Sequence, residues 1–101
     1  MKLRVTKEAE RCIDVVDGWW REHRPAARNL FREELEALLA RLQDSPYIGA
    51  VVPDAPRTRA YWRVLLPRTQ QYVYYAVNEQ RSTLTIPTVW GAHRGRTPKL
   101  R

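Results

Sequence analysis

Polar and apolar side chains alternate over residues 2–5, which is typical of a short strand. Thr6 follows as a candidate N-cap, and Glu8 and Glu10 lie in the first turn after it, where the helix dipole favours acids. Apolar side chains then recur at helical spacing as far as His23. The pattern therefore predicts a strand followed by a helix that ends near His23.

A second helical pattern follows a proline. The residue before a proline is pushed out of the α region, so Arg24 ends the first helix, and Pro25 can serve as the first residue of the next. Leucines then recur with a helical period until an Asp-Ser-Pro sequence at residues 44–46 ends the helix. Because the connection is short, the two helices are predicted to form an antiparallel hairpin.

Three strand patterns occupy the second half of the chain, at residues 59–66, 70–77 and 83–90. The turns between them are short, so neighbouring strands are predicted to pair as an antiparallel meander. Pro87 lies inside the last pattern and cannot donate a ladder hydrogen bond, which predicts either an edge strand or a bulge.

The element order β-α-α-β-β-β predicts an α+β fold, with an N-terminal helical hairpin packed on a small antiparallel sheet. At this length, residues 1–101 are predicted to form a single domain. Residues 92–101 are basic and contain only Leu100 as a core-forming side chain, so we expect them to be a mobile tail.

The sequence leaves open which way the side chains of two groups of aromatic residues face. Trp19 and Trp20 point about 100° apart on a helix, so one belongs to the core and the other is available to a partner. Tyr72 and Tyr74 share one face of a strand and Tyr75 lies on the other. The sequence does not fix which of these faces packs on the helices.

Composition excludes several classes of protein. Cys12 is the only cysteine, so neither an intrachain disulfide nor a cysteine-based metal site can form. No apolar run reaches the ~20 residues that a membrane-spanning helix needs. We therefore expect a cytoplasmic protein with no membrane contact, no metal and no cofactor.

Charge is divided unequally between the two halves of the chain. Residues 1–56 contain 9 Lys/Arg and 10 Asp/Glu, a net charge of −1, whereas residues 57–101 contain 9 Lys/Arg and one acid, Glu79, a net charge of +8. The basic half also carries six aromatic side chains: Tyr61, Trp62, Tyr72, Tyr74, Tyr75 and Trp90. Such a surface attracts polyanions or acidic protein segments.

Several short motifs, in this order and spacing, resemble the RelE/ParE superfamily of type II toxin-antitoxin toxins along nearly the whole chain. They are the Trp19-Trp20 pair, RPAA at 24–27, SPYIG at 45–49, YVYYAV at 72–77 and VWGAHR at 89–94. The resemblance implies one of two activities. RelE-like members cut messenger RNA on the ribosome, and ParE-like members poison DNA gyrase and are not known to cleave anything. In both branches an acidic, partly disordered antitoxin neutralises the toxin, which implies a toxin-antitoxin hetero-oligomer.

The residues of the basic half bear on the choice between these branches. A metal-free ribonuclease needs a base, an acid and a cation for the developing charge on the phosphate. This half supplies many cations, but its only carboxylate is Glu79 and its only imidazole is His93. The resemblance also places Tyr72 where RelE-like nucleases typically carry an arginine that grips the scissile phosphate. A tyrosine cannot replace a bidentate cation there, so the sequence favours a ParE-like gyrase inhibitor and leans against an enzyme.

The sequence nominates residues for each role. Contacts with the target, expected to be the gyrase–DNA complex, are assigned to Arg63, Arg68, Tyr72, Trp90, His93, Arg94 and Arg96. If the chain is instead a ribosome-dependent nuclease acting on mRNA, the catalytic set is His93, Arg94 and Arg63. Antitoxin contacts are assigned to Trp20, Arg57, Arg59 and Tyr61. A third alternative is a non-toxic nucleic-acid or protein-binding module, which growth arrest on induction would exclude.

Overall fold

Two helices and five strands make up the part of the chain that the computed structural model describes, residues 1–53, 55–57 and 59–100. The helices are α1 (Lys7–His23) and α2 (Leu30–Asp44), with a single 3-10 turn, Pro25–Ala27, between them. The strands are β1 (Lys2–Val5), β2 (Ala50–Val51), β3 (Trp62–Leu66), β4 (Gln71–Asn78) and β5 (Thr83–Gly91). Neither helix is both long and apolar enough to cross a bilayer.

The strands form one sheet in the order β1-β5-β4-β3-β2. The predicted meander of β3, β4 and β5 is confirmed, and so are the α+β class and the order of the predicted elements. Two features were not predicted. β1 joins the sheet parallel to β5, so the sheet is mixed and not wholly antiparallel, and β2 adds a two-residue edge strand that is too short to leave a sequence pattern.

Pro87 lies in β5, an interior strand paired on both sides, so the predicted edge position is wrong and the predicted bulge is confirmed. The register between β4 and β5 moves from Tyr74 opposite Thr88 to Ala76 opposite Thr85. Two residues of β5, one of them Pro87, therefore lie opposite the single residue between Tyr74 and Ala76 on β4. A bulge of this kind leaves a residue outside the ladder, which suits a proline because it has no N–H to donate.

Thr6 joins the start of α1 to this bulge. Its side-chain oxygen accepts a hydrogen bond from the Ala9 backbone N–H at 3.1 Å, as predicted for an N-cap. Its hydroxyl donates to the Pro87 carbonyl at 3.1 Å, and its backbone N–H donates to the Ile86 carbonyl at 3.1 Å. The helix therefore begins at a fixed position against β5.

The connection between the helices differs from the prediction. Pro25 begins the 3-10 turn, and α2 begins five residues later, at Leu30. A proline has the φ that suits the first position of a helix, but here only one tight turn forms before the chain reverses. The predicted end of α2 is confirmed, because the helix stops at Asp44.

The main core lies between the helices and one face of the sheet. Phe31 and Leu42 from α2 pack there with Leu84 and Ile86 from β5, and all four side chains are fully buried. Tyr75 is also fully buried in this core, so the sheet face that carries Tyr75 is the one packed on the helices.

A second, smaller cluster covers the opposite face of the sheet, which the helices leave open. Val52, Tyr61, Tyr74 and Ala76 form its buried centre. Ala55, Tyr72, Trp90 and Leu100 pack against that centre. The alternation of side chains along β4 thus places Tyr72 and Tyr74 on the open face, as predicted for a shared face.

Gly49 lies where the chain enters β2 and passes very close to the sheet. Its backbone N–H donates to the Tyr75 hydroxyl at 2.9 Å. A Cβ at this position would lie 2.6 Å from that hydroxyl and 2.9 Å from the Arg63 carbonyl oxygen. The close approach therefore requires a residue without a side chain.

We expect Gly49→Ala to lower the free energy of unfolding by roughly 1–3 kcal/mol, because the added methyl overpacks a site bounded by backbone. Urea unfolding followed by circular dichroism measures the change. Gly18→Ala is the matched control: Gly18 is exposed within α1 with no atom within 4 Å of an added Cβ. The control should gain about 0.5–1 kcal/mol through helix propensity. A Gly49→Ala protein as stable as the wild type would contradict the close approach.

Asp17 links the two helices from a buried position on α1. Its Oδ2 accepts hydrogen bonds from Arg21 at 3.0 Å and from Arg32 of α2 at 3.2 Å. Burial on its own raises the pKa of Asp17, but the hydrogen bonds and positive charges of Arg32 and Arg21 outweigh it and hold that pKa below its ordinary value.

A carboxyl group whose pKa is lower in the folded state stabilises the fold above its unfolded pKa, which is about 3.9 for aspartate. That contribution is lost as the pH falls through the folded pKa. We therefore expect wild-type stability to fall below about pH 4 and Asp17→Asn to remove part of this dependence. At neutral pH the variant should lose roughly 1–3 kcal/mol. Thermal unfolding between pH 2 and pH 7 tests this, with Asp14→Asn, at an exposed position on α1, as a control that should behave like the wild type.

Candidate functional site

A shallow concavity of about 340 Å³ lies on the open face of the sheet. Its floor comes from three neighbouring strands. Arg63 of β3 lies opposite Tyr74 of β4, and Tyr72 of β4 lies opposite Trp90 of β5. The alternation of side chains along each strand therefore brings cations and aromatic rings to one face. The chain after β5 supplies the remaining wall through Ala92, Arg94, Gly95, Arg96 and Thr97.

Arg63 is held by two tyrosines. Its Nη1 donates to the Tyr74 hydroxyl at 3.2 Å, and its guanidinium lies 4.2 Å from the centre of the Tyr72 ring. The hydrogen bond with Tyr74 raises the pKa of Arg63 above its ordinary value, although partial burial acts in the opposite direction. Arg63 is therefore a fixed positive charge with a restricted orientation.

Trp90 organises the other side of the concavity. The guanidinium of Arg94 lies 4.1 Å from the centre of its ring, and that of Arg96 lies 5.8 Å from the same centre. The indole Nε1 donates to the backbone carbonyl of Arg96 at 2.8 Å. A guanidinium stacked on a ring keeps the N–H donors at its edge available to an anion.

This arrangement is suited to binding phosphate or carboxylate groups. Three guanidinium groups lie over two aromatic rings, those of Tyr72 and Trp90. Among the described residues the lining contains no histidine, aspartate, glutamate or cysteine. The hydroxyls in the lining belong to Tyr72, Tyr74 and Thr97. Within the described part of the chain, no group of three or more His, Cys, Asp and Glu side chains is placed to hold a metal ion.

Five of the seven residues nominated for target contact come together in this concavity: Arg63, Tyr72, Trp90, Arg94 and Arg96. His93 is exposed just beyond β5 and is not part of the lining. Among the aromatic and charged residues of the lining, Tyr74 is the one that the sequence did not assign to target contact. Its position opposite Arg63 would have indicated it, but the sequence alone does not give the register between β3 and β4.

Arg68 lies elsewhere, in the turn between β3 and β4. Its backbone N–H donates to Glu34 of α2 at 2.8 Å, and the same carboxylate accepts from the Thr69 backbone and hydroxyl. Arg68 shares a separate depression with Arg28. Its nominated contact with the target is therefore not part of the concavity.

The residues nominated for antitoxin contact do not form one patch. Trp20 is half-buried against the main core on the helix side of the sheet, whereas Tyr61 is 2% exposed in the cluster on the open face. Arg57 and Arg59 are exposed, and the Arg59 guanidinium lies 5.9 Å from the centre of the Tyr61 ring. The neighbour of Trp20, Trp19, is the more exposed of the pair, at 44%.

No protein-family model matches the sequence, and no curated protein matches it significantly. Solved structures do match. A chain of the intact RelBE toxin-antitoxin complex from E. coli is 19% identical, with a TM-score of 0.61, over 92% of this chain and 98% of that one.

Two further solved structures have a similar fold. The YoeB/ParE toxin from Agrobacterium tumefaciens is 16% identical, with a TM-score of 0.60, over 90% of this chain and 98% of that one. The isolated E. coli RelE toxin is 20% identical, with a TM-score of 0.58, over 93% of this chain and 86% of that one. The chain therefore has the fold of RelE and YoeB/ParE toxins, as the sequence motifs predicted.

Proposed function

We propose that this chain is the toxin of a toxin-antitoxin pair and that it inhibits DNA gyrase by stabilising the gyrase–DNA cleavage complex. The fold supports a toxin. The observation that carries the choice of target is the make-up of the concavity, which joins three guanidinium groups to aromatic rings without a lining imidazole or carboxylate. Such a site grips anions well and transfers protons poorly.

The proposed contact with gyrase-bound DNA uses the phosphate backbone. Arg63, Arg94 and Arg96 are each held over an aromatic ring. A stacked guanidinium loses less conformational freedom when it binds a phosphate than a free one does. Contacts of this kind fix orientation on nucleic acid without reading sequence, which suits a toxin that acts wherever gyrase cuts.

The proposed partner in the resting state is a cognate acidic antitoxin. The net charge of +7 and its concentration in residues 57–101 favour an acidic chain over a neutral one. The RelBE structure that this fold resembles is a toxin-antitoxin complex. We therefore infer that the chain exists as a toxin-antitoxin hetero-oligomer until the antitoxin is removed.

A supercoiling assay with purified toxin, gyrase and relaxed plasmid tests the proposal. We expect loss of supercoiling and accumulation of cleaved DNA trapped with gyrase. Arg94→Ala should weaken inhibition about tenfold, the effect of losing one charge-assisted contact of about 1.4 kcal/mol. Arg81→Ala is the matched control, since it removes the same charge from the turn between β4 and β5, outside the concavity.

Two outcomes of that assay count against the proposal. A wild-type protein that neither blocks supercoiling nor traps cleaved DNA would remove gyrase as the target. Equal effects of Arg94→Ala and Arg81→Ala would mean that net charge, and not the concavity, accounts for inhibition.

A ribosome-dependent mRNA endoribonuclease is the second candidate, and one contact favours it. Arg63 and Arg94 line the same concavity, and Arg63 donates to the Tyr74 hydroxyl. Two cations beside a hydroxyl could stabilise the developing charge on a phosphate and pass a proton. In this candidate Arg63 and Arg94 bind the scissile phosphate and exposed His93 approaches it only when RNA is bound.

Mapping of mRNA 5′ ends on ribosomes after toxin induction separates the two candidates. The gyrase proposal predicts no new ends, whereas a nuclease produces ends that disappear in Arg94→Ala and fall in His93→Ala. If both variants remain as toxic as the wild type, the nuclease candidate is abandoned.

A further inference from the structure

The C-terminal segment, residues 92–100, follows the open face of the sheet instead of leaving it. The Ala92 backbone N–H donates to the Gln70 carbonyl at 2.9 Å, which holds the start of the segment beside β4. Further along, the Arg96 carbonyl accepts the indole N–H of Trp90 at 2.8 Å. Arg94 and Arg96, two of the three arginines of the candidate site, therefore lie on a stretch of chain that is attached to the sheet on both sides of Arg94.

Leu100 gives the segment a third attachment. Its side chain packs against the cluster centred on Val52 and Tyr74. The same residues line a second concavity of about 370 Å³ next to the candidate site. Leu100 is also the only large apolar side chain after Trp90 in the sequence, so no neighbouring residue could replace it in this contact.

Tyr74 couples this anchor to the candidate site. It is only 1% exposed, and it lines both concavities. Its ring contacts the cluster that Leu100 covers, and its hydroxyl accepts the hydrogen bond from Arg63. Loss of the Leu100 contact therefore affects the site in two ways. It releases the arginines of the segment, and it removes a contact from the ring that orients Arg63.

We infer that the C-terminal segment is a working part of the site and that Leu100 is a positioning residue, which holds Arg94 and Arg96 over Trp90. Irregular chain that is not anchored samples many conformations, and a ligand must overcome that entropy when it binds. The anchor removes part of this cost before the ligand arrives. The claim that these arginines contact the target rests on the proposed function, but the positioning itself does not.

NMR of the full-length, nitrogen-15-labelled protein tests the positioning directly. The reporter is the solvent exchange rate of the Trp90 indole N–H, measured by magnetisation transfer from water and assigned with Trp90→Phe. We expect Leu100→Ala to exchange about tenfold faster than the wild type, because loss of the contact made by this half-buried side chain favours local opening. Leu100→Val should fall between them.

Leu39→Ala is the matched control, because Leu39 is a half-buried leucine of α2 that packs on the main core, on the opposite side of the sheet. It should lower global stability and leave the Trp90 exchange rate unchanged. An unchanged exchange rate in folded Leu100→Ala, or an equal acceleration in Leu39→Ala, would overturn the inference.

The functional arm uses the gyrase assay at a temperature where all variants are folded. Half-maximal inhibition should need several-fold more of the Leu100→Ala protein than of the wild type. Leu100→Val should need an amount between these two, and Leu39→Ala should need the same amount as the wild type. If the wild type does not inhibit gyrase, the proposed function fails while the exchange rates still decide the role of Leu100. Inhibition by Leu100→Ala equal to that of the wild type, with accelerated exchange, would show that the segment does not position the arginines for the target.

Discussion

The pairing of β5 on both sides is the constraint on which the rest of the structure depends. β5 accepts β1 in parallel and β4 in antiparallel register, so it fixes the N-terminus, the meander and the position of the helices at once. The bulge at Pro87 makes this possible, since a proline can occupy a central strand only where the ladder is interrupted. Thr6 then uses the carbonyls of the bulge to fix the start of α1. The last residues of the same strand place Trp90 under the arginines of the candidate site.

The two faces of the sheet carry different side chains, because one packs on the helices and the other holds the candidate site. One face carries Tyr75 and the aliphatic side chains that pack on the helices, and the other carries Tyr72, Tyr74 and Trp90. Because side chains alternate along a strand, successive residues of β4 face the main core and the candidate site in turn. On the open face, the rings of Tyr72 and Trp90 support arginines, so part of the aromatic content of the basic half is used to orient its charges. The charge division noted in the sequence thus corresponds to a division between a helical layer that covers the sheet and a sheet face that stays accessible.

Much of the fold could be predicted because the residues that indicate each helix and strand lie within that element or next to it. Thr6 caps α1 and Asp44 ends α2 where the residues indicated. The three strands of the meander lie within a few residues of their predicted bounds. The parallel pairing of β1 was not predictable, because it joins residues about 80 positions apart and no local pattern encodes it. For the same reason the sequence grouped Arg68 with the other residues assigned to target contact, whereas its backbone is bound to Glu34 of α2, outside the concavity.

The sequence by itself determined the element types, the net charge of the sheet half and the chemistry available there, because these depend on residue identity and spacing. Only the tertiary structure decided which side chains share a site. It brought Arg63 and Arg94 to one concavity, kept His93 out of its lining, and added Tyr74 and the Leu100 anchor. Strand register and the path of the chain after β5 set those distances, and both arise from contacts between distant segments. Of the positive charge that first suggested a general attraction for polyanions, the structure orients three guanidinium groups, those of Arg63, Arg94 and Arg96, on one face of the sheet.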